Sequence, residues 1–298
     1  MFAKKNFSFD NPAADAPPFR FQIEEVRATH PVHHVGEIFT DVCIRMGNRE
    51  YQQDAVYVSP GGTQSEAGTN RFMGLVCDGM GGMADGGRAS RTAVQILSQA
   101  FEKIRNTQDV NIPAFFRQGI LTTDQVIHDF PQENGRGSGT TMVGVVVEGQ
   151  QFYWASVGDS RIYFLHDRQL IRLTRDHNYD LRLRQMVAEG TLTRAEYEGK
   201  TQKEALISFL GIGNVSLMDV AREPIALSSG DIILLCSDGV TKTLRDDRIF
   251  EILVSDRIPM ENRARQLVEV AIHGNTKSQD NTSVVLMQYK ETLQERSF

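Results

Sequence analysis

Cysteine, tryptophan and excess positive charge are all scarce in this 298-residue chain, and each scarcity removes a class of protein. The three cysteines, Cys43, Cys77 and Cys236, form an odd set with no C-x-x-C spacing, which excludes a disulfide framework and a zinc knuckle. Each lies in a strand-like apolar run, where a free thiol serves as a small hydrophobe. A formal net charge of -6 leaves no basic footprint for nucleic acid or an anionic membrane surface. Apolar runs such as residues 143–147 and 232–236 are far too short to cross a bilayer. The first ten residues lack the continuous apolar stretch of a secretory signal, so a cytoplasmic protein is expected.

Glycine beside carboxylate is what the chain does have. Residues 71–77 form a run of large apolar side chains, the pattern of a buried strand, which closes on Asp78 and the breaker Gly79. From Gly86 the period changes. Ala89, Ala93, Ile96, Leu97, Ala100, Phe101 and Ile104 recur every three or four residues and mark one face of a helix. Gly79, Gly81 and Gly82 fill the turn between. A strand-end carboxylate followed by glycines can hold an ion or a phosphate against main chain. On this stretch alone two readings stay open: residues 79–84 satisfy the G-x-G-x-x-A dinucleotide turn, and Asp78 is a candidate metal ligand. A tight turn with an exposed aspartate is the plain alternative.

The rest of the chain separates them. Residues 1–35, with the linker-like run 11–18, read as an extension without regular structure, and His30, His33 and His34 read as solvated tail histidines. Strand patterns at 38–44 and 55–58 flank a polar loop, and Ile112, Phe116, Ile120 and Ile127 mark a second amphipathic helix. Residues 140–148 and 151–157 pair across Gly149-Gln150, and 161–165 pairs with 170–173 across Asp167-Arg168. Connections this short make antiparallel hairpins, which argues against a doubly wound dinucleotide fold. Residues 176–214 read as an inserted flap, helix-prone at 181–189, 194–197 and 204–210; within it His177 shows no partner and reads as a surface histidine. Strand patterns return at 225–227 and 232–236, helices at 248–254 and 262–273, and a last strand at 282–288. A polar tail frays beyond Tyr289.

Asp78, Asp159, Asp238 and Asp280 thus stand in equivalent settings, at strand ends beside glycine or a polar turn, and Asp54 lies in a fifth such loop. Oxygen ligands without His or Cys select a hard cation, Mg²⁺ or Mn²⁺. The motifs run in order: Arg49 five residues before Asp54; Asp78-Gly79-Met80-Gly81-Gly82; Gly139-Thr140-Thr141; Val157-Gly158-Asp159-Ser160-Arg161; Cys236-Ser237-Asp238-Gly239; and Asp280-Asn281. On these motifs, over residues 36–289, the sequence closely resembles the metal-dependent protein phosphatases, the PPM or type 2C serine/threonine phosphatases, in their bacterial form.

That resemblance implies an α+β fold, an α-β-β-α sandwich of two antiparallel sheets packed face to face with helices outside, over residues 36–290, with a polar tail at 291–298. It implies hydrolysis of phosphoserine and phosphothreonine on proteins that a cognate Ser/Thr kinase phosphorylates, by water activated at a binuclear Mn²⁺/Mg²⁺ centre. Asp78, Asp238 and Asp280 match the metal ligands, with Asp78 bridging and the Gly79 carbonyl also ligating. Asp54 matches the carboxylate that orients metal-bound water, Asp159 a ligand of a third, weaker ion, and Arg49 the arginine that binds substrate phosphate. No nucleic-acid or membrane partner is implied. Three departures stand out. Gln53 sits where a glutamate is usual, which removes one negative charge. Met80 replaces a histidine of eukaryotic members, so protonation of the leaving oxygen falls to a metal-bound water. Residues 200–203 replace a His-Pro pair of the flap. The rival reading is a pseudophosphatase that binds phosphoproteins or a kinase without turnover.

Overall fold

Strand alternation decides which layer each side chain joins. The protein is described by a computed structural model covering residues 35–60, 62–63, 70–81, 85–131, 137–274 and 278–292, with two short strands at 4–6 and 22–24. One antiparallel sheet orders the strands Gln169–Arg172, Arg161–His166, Ile232–Cys236, Thr282–Thr292, Val35–Arg45 and Gly62–Thr63. The other orders Asp219–Val220, Gln151–Val157, Met142–Glu148, Phe72–Met80 and Asp54–Val58; Ile225–Ala226 pairs with the 151–157 strand and Gly139–Thr140 with the 72–80 strand.

Phe72, Val76, Val143, Val145 and Val147 of this second sheet pack against Ile162, Phe164, Ile233, Leu235, Val285 and Met287 of the first. The intervening residues Met73, Leu75 and Cys77 turn outward onto helices Asp85–Ile104 and Ile112–His128. On the opposite outer face Leu234, Val284 and Leu286 meet helices Asp246–Leu253 and Arg263–Gly274. The result is the expected four-layer α-β-β-α sandwich. Each Leu, Ile, Val or Phe buried in it contributes ~1.5–3 kcal/mol relative to exposure. Leu235→Ala, at the shared core, costs ~2–5 kcal/mol by the usual cavity penalty. The three cysteines are free and buried.

The structure departs from the sequence reading in four places. The strand opening at Phe72 runs on through Asp78 and Gly79 to Met80, because Gly79 and Met80 pair with Thr140 and Gly139. Gly79 therefore does not break the strand. Residues 204–210 form no helix: Leu206 and Leu210 bridge Asn178 and Thr140, so tertiary pairing overrides local propensity. The last strand continues past Tyr289 to Thr292, in register with Val35, where a frayed tail was expected; residues 293–298 lie outside the described residues. Within the N-terminal extension Lys4–Asn6 pairs with Gln22–Glu24, and the three tail histidines lie outside the described residues.

Candidate metal centre

The alternation that builds the core also places the site. Val56 and Val76 face the shared core, so Asp54 and Asp78, two residues along, belong to the same inward face at its end. Leu235 and Val285 do the same for Ser237 and Ser283 of the opposite sheet. The four side chains meet there. Asp54 Oδ2 accepts from the hydroxyls of Ser237 at 2.8 Å and Ser283 at 2.7 Å, bridging the two sheets. Asp54 Oδ1 is buried with no hydrogen-bond partner. A second bridge joins Thr141 Oγ1 to Ser160 Oγ at 2.7 Å.

Asp78 is clamped through its main chain. Its N–H donates to Thr141 Oγ1, and its carbonyl accepts from Thr141 N at 2.8 Å and from Thr140 Oγ1 at 2.9 Å. Gly79 N donates to the Gln53 carbonyl at 3.1 Å. A Cβ on Gly79 would strike the carbonyls of Gly86 and Gln53, so glycine is required because the strand, the helix start and the polar loop close on one another.

 That close approach, and not an open cleft, is what excludes a side chain there.

Asp238 follows the central strand as the first residue of the short helix Asp238–Thr241, and Asp280 precedes the strand beside it. Gln279 ties the two together, its amide donating to the Gly239 carbonyl and to Thr282 Oγ1, each at 2.7 Å. Asn281 fixes the loop that carries Arg49: its amide donates to the Met46 and Tyr51 carbonyls, and its Oδ1 accepts from Gln53 N at 2.7 Å. Arg49 Nη2 in turn donates to Asp280 Oδ2 at 2.7 Å. Gln53 sends its side chain to the Gly81 carbonyl at 3.4 Å. Asp159 sits beyond Gly158, whose φ of +101° is a left-handed conformation that glycine adopts without strain.

Burial and mutual repulsion govern the electrostatics. Burial lifts Asp54 to about 6, against the opposing pull of the two serine hydroxyls. Burial, with the charges of Asp238 and Asp176, lifts Asp159 to about 7. Asp78 is held well above the usual carboxylate range by burial and by Asp54, Asp238, Asp159 and Asp280 around it. Asp238 is raised by burial too, with the Lys242 ammonium opposing and the charge of Asp280 adding to the rise. Carboxyl groups in contact must share a proton or a cation.

The donor set fits a hard cation. It is made of oxygen alone, and Asp54 Oδ1 and Asp238 Oδ1 are buried without hydrogen-bond partners. Among the described residues no group of three His, Cys, Asp or Glu side chains is closed up as a ready cage. Two basic side chains stand among the carboxylates instead: Arg49 on Asp280, and Lys242, whose ammonium pairs with Asp238.

Sequence reading brought Asp54, Asp78, Asp159, Asp238, Asp280 and Arg49 to this end of the sandwich. It missed Lys242, which the four-residue spacing from Asp238 along a helix points to, and Ser283, which only the register of the last strand reveals. His177 is a correction. It is fully buried, with Nε2 at 3.0 Å from Asp219 Oδ2 and Nδ1 accepting from Gly158 N at 3.2 Å. Its partner lies 42 residues on, beyond the reach of local spacing.

Residues 45–271 match the family model described as protein phosphatase 2C. The chain belongs to that family. Among curated relatives, the protein phosphatase PhpP of Streptococcus pneumoniae is 31% identical over 222 residues, 74% of this chain and 87% of the relative. A bacterial serine phosphatase of known structure superposes with a TM-score of 0.68 at 27% identity, covering 84% of this chain and 96% of that one. The catalytic domain of the serine/threonine phosphatase PstP, solved in complex with two manganese ions, gives a TM-score of 0.63 at 25% identity over 86% of this chain and 99% of that one.

Proposed function

We propose that this chain hydrolyses phosphoserine and phosphothreonine on proteins, with Asp78, Asp238 and Asp280 holding two Mn²⁺ or Mg²⁺ ions and the Gly79 carbonyl adding a ligand. The observation that carries this reading is the convergence of these carboxylates with Asp54 and Arg49 at one end of the sandwich, with two buried carboxylate oxygens unpartnered. The PhpP and PstP likenesses support it. When bound, two such ions supply an acidified water as nucleophile and offset phosphoryl charge.

The chain's own residues do the rest. Thr140 and Thr141 fix the Asp78 main chain, and Ser237 and Ser283 fix Asp54, so the ligands are oriented before anything binds. Asp54 keeps Oδ1 to accept a hydrogen bond from water in the site. Arg49 meets Asp280 through one nitrogen, and its planar fork carries further N–H donors for the equatorial phosphoryl oxygens. Lysine in its place offers no such fork. Met80 brings no ionisable group to the leaving oxygen.

The test is hydrolysis of a phosphothreonine peptide with Mn²⁺, set against chelator and against Asp78→Asn and Asp238→Asn. Metal-dependent turnover lost in both variants is expected. Turnover that survives both substitutions sinks the mechanism, and phosphopeptide binding without turnover in the intact protein favours the pseudophosphatase.

A further inference from the structure

Lys242 stands one helical turn beyond Asp238, at the end of the Asp238–Thr241 helix, with its N–H donating to the Asp238 carbonyl at 2.8 Å. Its ammonium pairs with the Asp238 carboxylate and lies 4.0 Å from Asp280 Oδ2. Asp159 is the third carboxylate whose charge acts on it. Resting on the two-ion reading above, we propose that the Lys242 ammonium takes the role a third divalent ion at Asp159 would fill, so that this chain binds two ions and not three.

Two physical arguments carry this. The first is charge. An ammonium held among Asp159, Asp238 and Asp280 already supplies positive charge to them, and a divalent ion at the same place is repelled as the inverse of a short distance. The second is ligand supply. A hard cation needs several oxygens, and a second carboxylate beside Asp159 would strengthen its hold on one. Asp238 is the carboxylate at hand, but Oδ2 is engaged by Lys242, and the unpartnered Oδ1 is the oxygen left for an ion shared with Asp78. An ordinary surface pair at this helical spacing would leave both ends in water. Here the Lys242 side chain is 48% exposed but the Asp238 side chain only 14%, so the carboxylate end of the pair is screened by solvent less than in a surface ion pair.

The experiment titrates the chelator-stripped full-length protein with Mn²⁺ alone, counting bound ions by calorimetry and by the electron paramagnetic resonance of free Mn²⁺. Two equivalents are expected for the intact protein and for Lys242→Arg. Lys242→Gln should gain a third, weaker equivalent, and Lys242→Gln combined with Asp159→Asn should return to two. Asp159→Asn alone should leave the count at two, a reading that needs no change at Lys242. A fall from two equivalents to one with Asp159→Asn alone overturns the proposal and the two-ion assignment together, whereas three equivalents in the intact protein overturn the proposal while leaving the two-ion reading standing. So does Lys242→Gln with an unchanged melting curve and still two ions. No Mn²⁺ bound by the intact protein overturns the metal reading itself, and this proposal with it.

Discussion

Asp54 and Asp78 stand directly opposite one another on neighbouring antiparallel strands, both on the face that the two sheets share. Like charges so placed oppose folding, and burial sharpens the conflict. The Asp54 side of the pair is relieved by Ser237 and Ser283; Asp78 keeps only its main-chain bonds and the neighbouring carboxylates. A site arranged this way trades stability of the empty protein for affinity toward cations.

Stability of the metal-stripped protein should therefore fall as pH rises. The folded-state values of Asp54, about 6, and Asp159, about 7, lie above the unfolded carboxylate value, so the folded protein binds these protons more tightly. The sign is fixed by that order: stability is full below the unfolded value of about 4 and is lost as pH rises through 6 to 7. With one pKa unit equal to about 1.4 kcal/mol, the loss is on the order of a few kcal/mol. Thermal melts in chelator should fall from acid to mildly alkaline pH. Asp54→Asn and Asp159→Asn should flatten the dependence, and excess Mn²⁺ should reverse it. A melting temperature that climbs with pH in chelator contradicts the scheme.

Ser237→Ala and Ser283→Ala each remove one hydroxyl from Asp54 Oδ2. Losing such an outer partner typically weakens metal binding by about 10–100-fold. Calorimetric Mn²⁺ titration should show that weakening for each variant, with both substitutions together weaker than either. Unchanged affinity in the double variant would mean that Asp54 needs no help from the opposite sheet.

Asp124, buried on the Ile112–His128 helix, accepts four backbone N–H groups from the segment that follows Leu210: Gly211 and Gly213 on Oδ1, Asn214 and Val215 on Oδ2. Leu210, just before them, bridges Thr140, the residue that holds the Asp78 carbonyl. Asp124→Ala leaves buried donors without acceptors, at ~1–3 kcal/mol for each that water cannot reach. Denaturant unfolding should show a loss of several kcal/mol, and limited proteolysis should cut faster within residues 176–214. A stability change under about 1 kcal/mol would place the anchor elsewhere.

How far the sequence reached follows from the range of each contact. The strands at 151–157 and 232–236 and the helix from Asp85 were legible because apolar period and glycine or polar breaks lie within one window. The aspartates were legible because each carries its own glycine or turn beside it. The 204–210 stretch was not, since Leu206 and Leu210 take their partners from Asn178 and Thr140, far back in the chain. Nor was the role of Ser283, an ordinary strand residue until the sandwich sets it against Asp54. Lys242 lay within local reach, four residues from Asp238, because side chains at that spacing on a helix are neighbours.

His177 gives the sharpest test of a contact that local spacing hides. Its Nδ1 accepts from Gly158 N, which fixes the proton on Nε2, facing Asp219, and Asp219 also takes Arg175 Nε and Nη2, each at 2.9 Å. Burial alone would raise Asp219, yet His177 and Arg175 hold it below the usual carboxylate range. Its stabilising share is thus present above the unfolded value of about 4 and lost as pH falls below it, the reverse of Asp54. His177→Ala leaves the Gly158 N–H without its acceptor and Asp219 with Arg175 alone, for a cost of ~2–4 kcal/mol. Because Gly158 immediately precedes Asp159, loosening it should disturb that carboxylate while leaving Asp78 clamped by Thr140 and Thr141. Chemical denaturation should register the cost, and Mn²⁺ titration of the folded fraction should keep tight binding at the Asp78 centre. Loss of all Mn²⁺ binding in a variant that still melts cooperatively would show that His177 supports the whole centre and not the Asp159 loop.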